Sequence, residues 1–315
     1  MSKPRIGISA CLLGHEVRWD GGHKRDAFLT ELLGPWVEWV PVCPEVELGL
    51  GAPRETLQLT GRADAPRLVA TRSGTDHTDA MVGLARARAD GLARARLAGF
   101  VFKKNSPSCG MERVPVHRGK GAPARHGTGI FARELMRRLD PLPVEEEGRL
   151  HDPVLRENFV ERIFAYRRWQ DFAGGRPTRG GLVRFHTAHK LTLLAHDPKS
   201  YRRLGALVAR AKARPLGDVV AAYGAGFMRA LRVPATRGRH ANVLEHMLGY
   251  VSAGLDAAER REMTSTVADY RRGLVPLVVP LTLVRHHARR LAVAYLLEQV
   301  YLDPDPKELM LRNHV

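Results

Sequence analysis

The chain has 315 residues, 44% hydrophobic and 26% charged, a mix that excludes a disordered chain, a rod or a disulfide miniprotein. That length is enough for one large domain or two. Lys and Arg number 50 against 33 Asp and Glu, a net charge of +17, which points to a polyanionic partner, first nucleic acid and only then a membrane surface.

The opening apolar run meets Arg18 and Asp20 too early for a signal peptide or a membrane span, and no later stretch is long enough. No membrane association is expected, and a cytoplasmic location is. Residues 5–11, 36–43 and 99–102 are strand candidates, rich in Val, Ile and aromatics and bounded by Gly or Pro. Residues 76–97 and 127–139 have helical spacing. Strand, helix and strand in succession predict an α/β fold with a Rossmann-like parallel sheet. Residues 140–153 hold three prolines and an acidic triplet and read as a linker, placing one domain at 1–149 and a second at 150–315. The second half reads as an all-α helical domain over 153–172, 183–196, 199–213, 216–231, 238–255, 256–273 and 281–301.

Three cysteines are too few for a disulfide framework, so their use is as thiolates. Cys11, Cys43 and Cys109 each follow a strand candidate, so a parallel sheet brings all three to the edge where such sheets bind ligands. The competing reading is buried core cysteine, but Pro and Gly beside each one suit a cluster loop better. Zinc with three cysteines usually takes a histidine, and no CxxC or CxxH pair is present. An iron-sulfur cluster with one iron free of protein fits, and that iron would seek soft sulfur.

The pattern SxCLLG...RxDG, VCPE and KxxSPSCG resembles the TudS-type desulfidases. The helical half, with Phe185 to His196 and Tyr201 to Gly205, resembles the domain fused to them in RudS-type tRNA 4-thiouridine desulfidases. The resemblance implies a [4Fe-4S] cluster on Cys11, Cys43 and Cys109, with the open iron taking the sulfur of a thiolated pyrimidine. Glu45 and Ser106 match assisting positions, with Ser108 the alternative to Ser106. Arg18, Asp20, Lys24, Lys103 and Lys104 are expected to touch substrate.

The chemistry itself is hydrolytic: water adds at the ring carbon, sulfide leaves on a Lewis acid, and Glu45 moves the proton. Competing readings are an arginine-paired loop carboxylate for Glu45 and turn capping for the serines. Residues 151–315 carry a net +12, with arginine pairs that suit phosphate. Arg202, Arg203, Arg237 and Arg239 are the candidate tRNA contacts, while His186, His189, Tyr166, Trp169, Tyr201 and Tyr223 read first as packing, the aromatics with base stacking second. Free thiouracil as the substrate is the alternative, and a non-catalytic iron-sulfur protein that binds nucleic acid is the rival from another class.

Overall fold

The computed structural model describes residues 3–62, 64–119 and 121–314 and forms two compact units, Met1–Asp152 and Pro153–Val315. The first unit holds strands β1 (Arg5–Ser9), β2 (Glu38–Val42), β3 (Leu57–Gly61), β4 (Pro66–Ala70), β5 (Gly99–Phe102), β6 (Val114–His117), β7 (Ala124–Gly127) and β8 (Val144–Glu146). Its helices are α1 (Pro44–Glu47), α2 (Thr78–Arg94) and α3 (Ile130–Arg138).

One sheet runs in the order β2-β1-β5-β8 and is parallel throughout, the α/β arrangement expected from the sequence. Its central strands bury Ile6, Ile8, Phe100, Val101 and Phe102 completely, which is why they read as unbroken apolar runs. Gly7 lies opposite Phe100, and a Cβ there would sit 2.2 Å from the Phe100 ring, so the close strand approach needs glycine. A second sheet, β4-β3-β6-β7, mixes antiparallel and parallel pairs and was not foreseen.

The acidic segment read as a linker belongs to the fold. Its Val144–Glu146 stretch is edge strand β8, and Glu145, Glu146 and Glu147 are all buried. Burial is tolerated because each carboxylate has donors: Arg149 for Glu145, the Met111 amide for Glu146, and Lys103 with the Lys104 amide for Glu147.

The second unit contains α4 (Pro153–Ala173), α5 (Arg179–Ala188), α6 (Lys190–His196), α7 (Pro198–Ala209), α8 (Leu216–Leu231), α9 (Arg237–Val251), α10 (Ala257–Arg272), α11 (Val278–Arg290) and α12 (Ala294–Leu297). Among the described residues it has no strand. The span 183–196 is two helices that meet at His189, whose amide is shared between the Phe185 and His186 carbonyls while its ring also bonds the Phe185 carbonyl at 2.7 Å. The span 281–301 breaks after α11, where Ala292 takes φ +50°. One core gathers Trp169, Leu204, Tyr223 and Phe227, and another gathers Leu244, Met247, Val267 and Val284. Among the described residues no helix is long and apolar enough to cross a membrane.

Glu157 and Glu161 on α4 each face Arg312 at 3.8 Å. Burial pushes Glu157 up to about 8. Burial also opposes ionisation of Glu161, yet the charges of His196 and Arg312 hold it down at about 2. Glu157 binds its proton more tightly folded than unfolded, so its stability contribution is complete below the ordinary carboxylate range and is lost as pH rises toward 8. Glu157→Gln is therefore expected to make the protein more stable than the parent by about 1–3 kcal/mol near pH 9, with less effect near pH 5. Thermal unfolding at the two pH values checks this.

Candidate active site

In the order β2-β1-β5-β8 the chain adds β2 on one side of β1 and later β5 on the other, so a switch point lies between β1 and β5, and the crevice outside the carboxyl ends of such strands is where these sheets take ligands. Cys11 follows β1 in a one-turn helix, Cys43 follows β2 at the start of α1, and Cys109 lies in the loop after β5. All three are free thiols, and all three line one cavity of about 390 Å³ together with Glu45, Ser106, Arg18, Lys24, Lys103 and Lys104.

Burial pushes each thiol up, Cys11 to about 11, and the neighbouring thiols add to the rise at Cys11 and Cys109. The amides of Val46 and Glu45 point at the Cys43 sulfur, and the Ser9 hydroxyl bonds Cys109. Such donors favour thiolate once a cation is present. Among the described residues no group of three or more His, Cys, Asp or Glu is placed to hold a metal ion. The three thiols form an all-sulfur donor set lining one cavity, a chemistry that suits an iron-sulfur cluster better than zinc.

The loop carrying Cys109 is fixed from several sides. Ser106 Oγ accepts the amides of Ser108 at 3.2 Å and Cys109 at 3.0 Å, so the turn-capping role applies to it. Accepting both leaves its own O–H free to donate into the cavity that it lines. Ser108 is fully buried, does not line the cavity, and its hydroxyl has no partner among the described residues. At the start of α3 the amides of Ile130 and Ala132 donate to the carbonyls of Pro107 and Ser108, both at 3.1 Å. A Cβ at Gly129 would lie 2.5 Å from the Ser108 carbonyl oxygen. Gly129→Ala is expected to cost about 1–3 kcal/mol by overpacking, and to lower the iron held per chain; thermal unfolding and iron assay together check it.

Glu45 is paired, as its competing reading held, but the partner is Arg54, which the sequence did not single out. Both side chains line the cavity and are nearly buried, with exposures of 13% for Glu45 and 7% for Arg54. Lys103 is tied to Glu147, whereas Lys24 and Lys104 have no acidic partner among the described residues. Asp20 does not reach the cavity: it pairs with Arg18 at 3.3 Å and accepts the Gly22 amide at 3.1 Å, which shapes the turn. Ser9 and Trp19 also line the cavity and were not singled out as site residues, although Ser9 opens the SxCLLG motif and Trp19 lies between Arg18 and a glycine turn.

In the helical unit, Arg202 lies in a groove of about 790 Å³ with Arg179, Lys190, Lys212 and Tyr201, and no carboxylate lines it. Arg203 instead bonds Ser200 Oγ, and Arg239 bonds the His196 carbonyl at 2.6 Å, closing the end of α6. Arg237 lines a separate small cavity with Glu157, Glu161 and Arg312. His186 bonds the Tyr223 hydroxyl at 3.0 Å, and burial lowers it to about 4, so it is a neutral packing residue.

Residues 6–147 match the family described as 2-thiouracil desulfurase, and residues 190–306 match a family described as protein of unknown function, DUF1722. The uncharacterized protein YbgA of Escherichia coli (strain K12) is 34% identical over 153 residues, 48% of this chain and 90% of its own. The uncharacterized protein YbbK of Bacillus subtilis (strain 168) is 33% identical over 114 residues, 33% of this chain and 72% of its own. A solved structure described as the [4Fe-4S]-dependent thiouracil desulfidase TudS is 31% identical at a TM-score of 0.41, covering 50% of this chain and 100% of that one. With the cysteine cavity inside the matched region, the chain belongs to the 2-thiouracil desulfurase family and carries a DUF1722 region in its helical unit.

Proposed function

We propose that this chain is a [4Fe-4S]-dependent desulfidase acting on 4-thiouridine in tRNA, replacing C=S by C=O and releasing sulfide. The observation that carries the reading is one cavity lined by Cys11, Cys43 and Cys109 beside Glu45. A cluster held by the three thiolates would supply one iron without a protein ligand, a Lewis acid for the thiocarbonyl sulfur. Glu45 takes the proton of the attacking water, and the free O–H of Ser106 donates to the pyrimidine ring. Arg18, Lys24 and Lys104 favour an anionic nucleotide at the mouth. Water is the only co-reactant, so neither oxidant nor reductant is consumed.

The preference for tRNA over free thiouracil rests on the helical unit. Its groove presents Lys190, Arg202 and Lys212 without carboxylates, next to Tyr201, a surface suited to a phosphate backbone and a base. Replacing Lys190 and Arg202 together by serine is expected to weaken tRNA binding about tenfold and to reduce its salt slope by roughly one for each phosphate no longer neutralised. Turnover of free thiouracil should stay unchanged.

The direct experiment is anaerobic. Iron and sulfide are assayed on the purified protein, which is then incubated with tRNA containing 4-thiouridine, with thiouracil in parallel. Loss of the thiocarbonyl absorbance with matching sulfide release is the expected result on tRNA. Faster turnover of the free base would reassign the substrate, and a reconstituted protein without iron would defeat the cluster.

A further inference from the structure

We propose that Arg54 is a positioning residue for the desulfidation, setting the working oxygen of Glu45 and fixing the rim loop that bears Trp19. The inference rests on the reading of Glu45 as the group that moves the proton. Nε of Arg54, at 2.9 Å, and one Nη donate to the same carboxylate oxygen, Oε2 of Glu45. No hydrogen bond among the described residues occupies Oε1, so that oxygen stays available to a water in the cavity.

The other Nη donates to the carbonyls of Val17 at 2.9 Å and Gly51 at 2.7 Å. The backbone amide of Arg54 donates to the Trp19 carbonyl at 2.9 Å. One nearly buried side chain thus joins the carboxylate on α1, the turn at Gly51 and the loop at 17–19. The Cys43 thiol meets the same Val17 carbonyl at 3.7 Å, so the hub sits against the cysteine wall as well. A lysine ammonium is a point charge on a flexible stem and lacks the planar fork that spans these acceptors.

Trp19 lines the cavity and is 48% exposed, an unusual setting for an indole that packing does not require. Its face offers a flat base a stacking surface at the entrance. The Arg54 side chain therefore governs two quantities: the aim of Glu45, read in kcat, and, through the Val17 carbonyl, the hold on the loop that carries Trp19, read in KM; the amide contact to the Trp19 carbonyl is main chain and persists in either substitution.

The test compares Arg54→Lys and Arg54→Met with the parent protein, all reconstituted anaerobically. Iron per chain, amide hydrogen exchange over residues 17–22, and kcat and KM on the thiopyrimidine that the parent turns over are measured. Expected are unchanged iron, faster exchange at 17–22, a kcat lower by about 10²-fold in both variants, and a KM several-fold higher. Trp19→Phe is expected to keep the parent KM, and Trp19→Ala to raise it. Values of kcat and KM within twofold of the parent would overturn the proposal, as would loss of iron in step with loss of turnover, since Arg54 would then serve the cysteines. A parent protein that carries iron and turns over no thiopyrimidine would defeat the reading of Glu45 instead, while hydrogen exchange at 17–22 would still test the hold of Arg54 on the loop.

Discussion

Cys109→Ala, Cys43→Ala and Cys11→Ala are each expected to lower bound iron from about four per chain to well below one, and to abolish sulfide release. The three thiols line one cavity from the ends of three adjacent strands, so each substitution removes one side of the same site. Cysteines that only fill a core would behave differently. Cys109 and Cys11 are buried, and replacing a buried cysteine by alanine leaves a small cavity costing about 1 kcal/mol or somewhat more, with iron unaffected. Iron and sulfide assays with thermal unfolding on the same samples separate the outcomes. Equal iron in parent and variants would defeat the cluster, whatever the stability change.

Glu45→Gln is expected to keep the iron of the parent and to lower kcat by about 10²- to 10⁴-fold, the range for losing a group that moves a proton. The amide oxygen of Gln can still accept from Arg54, so the loop geometry is retained and the change isolates the chemistry. Ser106→Ala should differ in kind. It orphans the Ser108 and Cys109 amides as well as removing a donor, so a stability loss of about 1–2 kcal/mol accompanies the loss of turnover. Unchanged turnover in Glu45→Gln would leave that residue as a partner for Arg54 and nothing more.

Much of the first sheet was legible because β1, β2 and β5 are apolar runs closed by turn residues, with Cys11 and Cys43 at the ends of β1 and β2 and Cys109 in the loop after β5. The second sheet was not. Its strands LQLTG, PRLVA, VPVH and ARHG are only four or five residues long and mix polar with apolar positions, so no period stands out. The helical unit was legible in outline from its spacing and its Pro and Gly breaks. Two of its expected spans are split, at His189, whose amide is shared between two carbonyls, and near Ala292, a left-handed residue.

By itself, then, the sequence determined the α/β character of the first unit, the helical second unit, and the delivery of three thiols to one sheet edge, because these follow from local hydrophobic period and strand polarity. Only the tertiary structure decided which polar groups work together. Glu145, Glu146 and Glu147 looked like solvated linker, yet all three are buried: Glu146 and Glu147 hold the two ends of the Cys109 loop through Met111, Lys103 and Lys104, and Glu145 is satisfied by Arg149. Arg54 reaches Glu45, Val17 and Gly51 through turns whose geometry no periodicity encodes. Among the arginines of the helical unit, Arg202 opens onto a groove while Arg239 is committed to a backbone carbonyl. The physical reason is common to all of these: burying a charge is costly unless its partners are in place, and those partners come from distant parts of the chain that only folding brings together.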